Sequence, residues 1–233
     1  SRQAERNAEY LRKRARRKIE FYHKVVQPED FASLEFLLSR CGEPYGDSSI
    51  LPTYLLCKFA REKVTVALSG DGADELFGGY ERYLVMNRLR MLDVLPEFLR
   101  RNFFGFAARF FPRGGGDRTR SARIRRLLLA AGCSAAGRYA SLISGFPSAE
   151  LRKFCRFEIS PERPDIFERW FDASLPNAAS VFDYHVYLPN DILRKTDTAS
   201  MSVSLEVRAP FLEYRLTEFA ESLPDDCKMQ GMR

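Results

Sequence analysis

Residues 64–80 read Val-Thr-Val-Ala-Leu-Ser-Gly-Asp-Gly-Ala-Asp-Glu-Leu-Phe-Gly-Gly-Tyr. A β-branched apolar run ending in Ser-Gly-x-Gly predicts a buried strand that opens into a tight turn. Asp71, Asp74 and Glu75 then crowd together at the carboxyl end of that strand, the edge where open α/β sheets bind ligands. Carboxylates this close repel unless water, a cation or hydrogen-bond donors relieve them. A magnesium–nucleotide complex supplies such relief, because Mg²⁺ takes one or two carboxylates together with phosphate oxygens. Gly70 and Gly72 let backbone approach a ligand closely, and Gly78-Gly79 permit a sharp exit. An isolated Asp-Gly pair reads most simply as a solvated surface turn. The coincidence of apolar strand, three acids and second glycine pair favours a ligand-binding turn instead.

The remaining composition narrows the class. The chain has 233 residues, 45% hydrophobic and 29% charged, enough for one large or two small globular domains. No apolar run approaches the ~20 residues that span a bilayer. Residues 1–20 are charged and carry no secretory signal, so the expected compartment is the cytoplasm. Cys41, Cys57, Cys133, Cys155 and Cys227 are scattered without Cys-x-x-Cys spacing, which argues against a disulfide framework or a zinc site. Cys41 and Cys57 fall in apolar helical settings and read as small core residues. The net charge of +6 is concentrated at residues 12–18 and 113–126. Two basic clusters can hold a polyanion. No nucleic-acid-binding motif accompanies them, so a solvated helix face and a basic loop are the preferred reading.

Along the chain, apolar spacing predicts a charged helix over 3–18 and a strand over 20–26. Pro28 opens a helix running to Ser39, residues 42–49 form a loop, and Pro52 to Glu62 form another helix before the strand at 64–68. That order is one βαβ crossover, the building unit of a parallel sheet. A helix over 74–90 follows. Helices are also predicted over 95–111, 122–131, 135–144, 147–155, 165–174, 178–187 and 211–223. The expected fold class is α/β: a partial open parallel sheet, then a mainly helical region. The expected division is 1–90 as an incomplete nucleotide-binding part and 91–233 as a helical part. Two strands make a marginal sheet, so the chain reads as part of something larger, and an exposed strand edge invites association such as a homodimer.

A second constellation spans residues 188–213. Lys195 and Asp197 sit near Ala199, Ser200, Ser202 and Ser204, small residues that allow close helix packing. Glu206 and Arg208 can pair with each other, or Arg208 can grip a carboxylate or phosphate with two parallel hydrogen bonds. A structural salt bridge and a ligand role stand equal for this pair. Pro210 disfavours helix at Ala209, marking an extended break.

Ser69-Gly-Asp-Gly-Ala-Asp-Glu-Leu-Phe-Gly-Gly-Tyr80, Asp191-x-x-x-Lys195-x-Asp197-x-x-Ser200-Met201 and Ser204-Leu-Glu206-x-Arg208-x-Pro210-Phe-Leu212 together resemble the synthetase domain of glutamine-dependent asparagine synthetases. Glu43-Pro44, Asp47-Ser48-Ser49 and Pro52-Thr53-Tyr54-Leu55 fit the same family. The resemblance implies an adenine-nucleotide hydrolase-like (ATP pyrophosphatase) fold. It implies activation of the aspartate side-chain carboxylate as an acyl-adenylate with ATP and Mg²⁺, followed by attack of ammonia that a glutaminase domain releases from glutamine. It assigns nucleotide contacts to Ser69, Gly70 and Gly72, and Mg²⁺ with pyrophosphate to Asp74. Proton handling during amide formation falls to Asp71, the intermediate pocket to Glu75, and the substrate side to Lys195, Asp197, Glu206 and Arg208.

The sequence also departs from that family. Its Ser-Gly-Gly-x-Asp-Ser pyrophosphate loop and its glutaminase domain with an N-terminal cysteine are missing, and the lysine usual shortly after the Gly231 position is not reached. Thr198 stands where arginine is common, and Glu213 where aspartate is common. The isolated chain is therefore expected not to make asparagine. Two alternatives stay open: a sibling that adenylates another carboxylate, such as a β-lactam-forming or peptide-modifying enzyme, and a non-catalytic scaffold that binds a polyanion. No membrane or nucleic-acid partner is expected.

Overall fold

The computed structural model describes residues 2–15, 18–111, 119–143 and 166–228. Its elements run α1 (Arg2–Arg14), a 3₁₀ turn (Pro28–Ser33), α2 (Leu34–Cys41), α3 (Ile50–Arg61), β1 (Val66–Leu68), α4 (Ala73–Phe77), α5 (Glu81–Arg90) and α6 (Glu97–Ala108). There follow α7 (Arg120–Ala131), α8 (Ala135–Ile143), α9 (Ile166–Trp170), α10 (Ala178–Phe182), a π-helix (Asp183–Leu193), α11 (Arg194–Met201), β2 (Glu206–Arg208), α12 (Tyr214–Ser222) and α13 (Asp225–Lys228). The class is α/β, mostly helical, with a small two-stranded parallel sheet. No helix among the described residues is long and apolar enough to cross a membrane.

The chain divides into two compact units. The first comprises Ser1–Ala67 and Lys195–Arg208. Its core is Leu37, Leu51, Tyr54, Leu55 and Ala199. Ala199 is fully buried, so the small residues of α11 do what their size permits and bring that helix close to α2 and α3. Burying each large apolar side chain here contributes about 1.5–3 kcal/mol. Cys41 and Cys57 are buried, as expected of core cysteines. Ser204 adopts a left-handed backbone (φ 56°) and turns the chain from α11 into β2, where the Glu206 amide donates to the Thr65 carbonyl at 3.0 Å.

The second unit comprises Leu68–Arg194 and Ala209–Arg233. Tyr83, Met86, Tyr139, Phe171, Ala178, Ala179 and Phe182 form its core, with the Phe167 and Phe182 rings stacked at 4.8 Å. The π-helix is a rare form whose wide turn accommodates Pro189, which has no N–H to give. The Asn190 side chain donates to the Val186 carbonyl at 2.7 Å within it.

Four expectations need correction. Residues 20–26 alternate like a strand but form no regular structure; Tyr22, Val25 and Val26 stay exposed, because a strand needs a neighbour and β1 takes β2 instead. The βαβ crossover expected within residues 20–68 is thus replaced by a long-range pairing. The helix expected over 74–90 is split, because Gly78 turns left-handed (φ 69°) at the end of α4. The helix expected over 178–187 continues as the π-helix to Leu193. The helix expected over 147–155, Cys155, and Arg16, Arg17 and residues 113–118 of the basic clusters lie outside the described residues. Within the first cluster Lys13 pairs with Glu9, both exposed, as a solvated helix face would.

Candidate functional site

The acidic turn forms within the second unit. Gly72 adopts φ 89°, and a side chain there would collide with Leu212 Cδ2, so glycine is required both for the turn and for its packing. The Ser69 hydroxyl donates to Asp71 Oδ2 at 3.0 Å. The Asp71 side chain is half-buried, whereas Asp74, one turn on, is exposed. Gly79 comes back against Asp74: its amide donates to the Asp74 carbonyl at 2.9 Å, and a Cβ on Gly79 would collide with Asp74 Oδ1. The second glycine pair therefore clears space for one carboxylate. Asp74 makes no side-chain hydrogen bond among the described residues, which leaves both oxygens available to a ligand.

Glu75 differs from its neighbours. It is 2% exposed. The Tyr80 hydroxyl donates to Glu75 Oε1 at 2.9 Å, and the Ser180 hydroxyl donates to the Glu75 carbonyl at 2.6 Å. Burial pushes the Glu75 carboxyl above its ordinary range, and the charges of Asp183 and Asp74 push the same way. Its own amide and the Tyr80 donor oppose them without prevailing. Burial first, then the charge of Glu75, hold the Tyr80 phenol above its usual value. Tyr80 is thus a firm donor and Glu75 a carboxyl that takes up a proton readily.

Behind this pair lies a buried charge network. The Arg82 guanidinium stacks over the Tyr80 ring at 3.7 Å and over Tyr187 at 4.8 Å. Its Nε and Nη2 donate to Asp183 Oδ2 at 3.1 and 2.7 Å, and the Tyr83 hydroxyl donates to the same oxygen at 2.6 Å. Asp183 is wholly buried. The order Asp183, Arg82, Tyr80, Glu75 places the last carboxyl by way of the first.

A raised carboxyl has a sign for stability. The folded state holds the Glu75 proton more tightly than the unfolded state, so this residue's contribution falls as pH rises from its ordinary value of 4.5 through the folded value. Glu75→Gln keeps an acceptor for Tyr80 but cannot ionise. The variant's stability relative to wild type is expected to improve steadily above pH 4.5 and then level off. Urea unfolding of both proteins across this range measures it, and a pH-independent difference refutes it.

Lys195 is placed within the first unit. Its Nζ donates to Asp47 Oδ2 at 2.8 Å and to the Ser49 hydroxyl at 2.9 Å. The Ser49 amide and hydroxyl both donate to Asp47, so the turn before α3 is tied by three groups. Burial raises the Asp47 carboxyl, but hydrogen bonds from Lys195 and Ser49 outweigh it and hold the carboxyl below its usual range. Lys195→Met is expected to cost about 1–2 kcal/mol near neutral pH. The loss should begin to shrink as pH falls below the ordinary carboxyl value of 3.8 and go on shrinking as acid protonates Asp47 in the folded state; thermal melts of both proteins from pH 7 downward test both parts.

Glu206 and Arg208 do pair. Arg208 Nε and Nη2 each lie 2.8 Å from Glu206 Oε1, on the same face of β2. Both are more than half exposed, so the pair adds about 0–1 kcal/mol. Asp197 is exposed on α11, and its side chain makes no hydrogen bond among the described residues.

The structure therefore gathers Ser69, Gly70, Asp71, Gly72, Asp74 and Glu75 into one turn, and Lys195 onto the Asp47 turn. Sequence reasoning assigned no role to Tyr80, Arg82, Ser180 or Asp183. Tyr80 stands at the end of the quoted motif, but Ser180 and Asp183 lie about a hundred positions away from their partners and carry no local signal. No group of three or more His, Cys, Asp or Glu side chains among the described residues is arranged to hold a metal.

Residues 2–233 match the asparagine synthase family. The chain belongs to that family. Among its asparagine synthase relatives, asparagine synthetase [glutamine-hydrolyzing] 1 of Bacillus subtilis is 31% identical over 91% of this chain and 33% of its own length. A Mycobacterium tuberculosis protein provisionally named as a glutamine-hydrolysing asparagine synthetase is 34% identical over 88% of this chain and 31% of its own. The chain thus spans about one third of the length of these relatives. No solved structure matches it.

Proposed function

We propose that this chain is part of an ATP-dependent ligase of the asparagine synthetase type, with the ATP pyrophosphatase form of the α/β fold. The enzyme adenylates the aspartate side-chain carboxylate and forms the amide with ammonia. A glutaminase domain elsewhere in the parent chain supplies that ammonia from glutamine. The observation that carries the reading is the acidic turn after β1, where a buried carboxyl, a half-buried one and an exposed one follow in five residues.

The donor set fits magnesium bound to phosphate. That ion needs only one or two carboxylates when phosphate oxygens complete its shell, and Asp74 is exposed with both oxygens uncommitted. When bound, Mg²⁺ neutralises charge on the departing pyrophosphate. The chain's own residues do the rest. Ser69, Gly70 and Gly72 form the turn against which the nucleotide packs. Asp71, held by the Ser69 hydroxyl, accepts a proton from the attacking ammonia. Glu75 walls the intermediate pocket and excludes water. Lys195, Asp197, Glu206 and Arg208 serve the substrate side, Lys195 pre-oriented by Asp47 and Ser49. In this reading residues 1–90 carry the nucleotide and 91–233 complete the synthetase part. The full-length protein works in the cytoplasm.

The test is ATP–pyrophosphate exchange by the full-length protein, with aspartate compared against other carboxylates. Aspartate-dependent exchange is the expected result, with none from the 233-residue chain alone. Exchange driven only by another carboxylate transfers the chain to a sibling activity, and no exchange with any carboxylate rejects the ligase reading.

A further inference from the structure

Residues 97–131, the stretch that holds α6 and α7, carry nine arginines against two acids, Glu97 and Asp117. That excess is larger than the net charge of +6 on the whole chain. Arg101, Arg109, Arg120 and Arg123 are exposed and make no ion pair among the described residues.

The same stretch shows an apolar face. Leu99, Phe103 and Phe106 recur at spacings of four and three, so they share one side of α6. Phe110 follows just past the helix end, its ring 5.3 Å from that of Phe106. All four are exposed, Phe103 by 69% and Phe110 by 73%. Met91, Val94 and Phe98, which precede them in the chain, are exposed as well. The other side of α6 holds the helix to its own unit. Arg100 and Ala108 are buried there, Arg100 Nη1 donates to Asp93 Oδ1 at 2.6 Å, and α6 packs against α7. The aromatic face is therefore a second apolar surface, separate from the core. At about 100° per residue, Arg101 and Arg109 fall on the side that divides it from the buried face. A solvated helix face accounts for the arginines but not for the phenylalanines beside them, since continuous exposed apolar surface marks a contact site.

We propose that this face docks on a bilayer surface rich in anionic phospholipid, with its apolar side chains at the headgroup–acyl boundary and the arginines among the headgroups. A helix with Phe and Leu on one side and Arg on another lies in that boundary, parallel to the membrane. Anionic lipid attracts each basic residue near the surface. Charge decides among the occupants. A second copy of the chain would set one arginine-rich face against another, and like charges across an interface repel. Nucleic acid satisfies the arginines and can stack bases on phenylalanine rings, but Leu99, Met91 and Val94 offer no ring to stack on. Anionic lipid meets the charge and the apolar surface together. The contact is peripheral, because no helix among the described residues is long and apolar enough to cross a membrane. It does not depend on the ligase reading.

Flotation of the full-length protein with lipid vesicles tests the docking. Binding is expected to phosphatidylcholine vesicles that contain about 30% phosphatidylserine, and not to phosphatidylcholine alone. Phe103→Ser combined with Phe106→Ser should weaken that binding about tenfold or more. Arg109→Gln combined with Arg123→Gln should also weaken it about tenfold or more. Lys13→Gln combined with Lys18→Gln removes equal charge from exposed residues elsewhere and should leave binding unchanged. All six positions are exposed, so each variant should keep the wild-type circular dichroism spectrum. The proposal is overturned by a full-length protein that ignores anionic vesicles, as it would if the rest of the parent chain, a second copy or a nucleic acid held the face. Equal binding to phosphatidylcholine alone overturns it too, as do phenylalanine or arginine variants that bind as wild type does, or a lysine variant that loses as much as the arginine one.

Discussion

Asp183→Ala is expected to destabilise the protein by about 3–5 kcal/mol, the range for removing one partner of a buried ion pair. Asp183 is wholly buried and Arg82 is 20% exposed. The lone carboxylate oxygen Oδ2 receives three donors, two from Arg82 and one from Tyr83. Alanine leaves the guanidinium in a low-dielectric pocket without its counter-charge and strands the Tyr83 hydroxyl. Asp183→Asn keeps an acceptor and should lose less. Combining Asp183→Leu with Arg82→Met removes both charges together, so this double variant should be more stable than Asp183→Ala alone. Urea unfolding of these three proteins settles the order, and if the single Asp183→Leu and Arg82→Met variants show losses that add up to that of the double variant, this counts against a coupled pair. The same network seats Tyr80 against Glu75, so Asp183→Asn should also narrow the pH dependence that Glu75 imparts.

Asp74→Asn is expected to do the reverse: little change in stability, a large loss of activity. The side chain is exposed and uncommitted, so its replacement should shift stability by no more than about 0.5 kcal/mol. Asp74 would act by holding the Mg²⁺ that neutralises developing phosphate charge, and losing one such stabilising interaction typically costs about 10²–10³-fold in rate. Aspartate-dependent ATP–pyrophosphate exchange by the full-length protein measures this, together with the Mg²⁺ concentration giving half-maximal rate, which should rise. An Asp74→Asn protein that exchanges at the wild-type rate removes the acidic turn from the chemistry.

The contrast between these two residues follows how each was legible. Asp74 announces itself, because the strand, the glycines and the acids that define its turn are neighbours in sequence. Left-handed Gly72 and Gly78, the Ser69 to Asp71 hydrogen bond and the Gly79 approach are all contacts within about ten residues. The Glu206–Arg208 pair was legible for the same reason. Asp183 sits in an apolar stretch like any other, and nothing nearby marks it as the counter-charge of Arg82. The strand read at 20–26 failed on the same count. Its alternation was genuine, but a strand exists only with a neighbour, and Val66–Leu68 found its neighbour at Glu206–Arg208.

The acidic turn and, among the described residues, the helical character of the chain after residue 90 thus followed from local order alone, since turn geometry and helical periodicity are short-range properties of the backbone; family membership followed from the resemblance of whole motifs. Long-range folding chose which strand pairs with β1, which acid of the turn is buried, and how Asp183 and Arg82 reach Glu75. Those outcomes depend on burial and charge pairing between segments a hundred or more residues apart, and such energies have no signature until the chain has closed on itself.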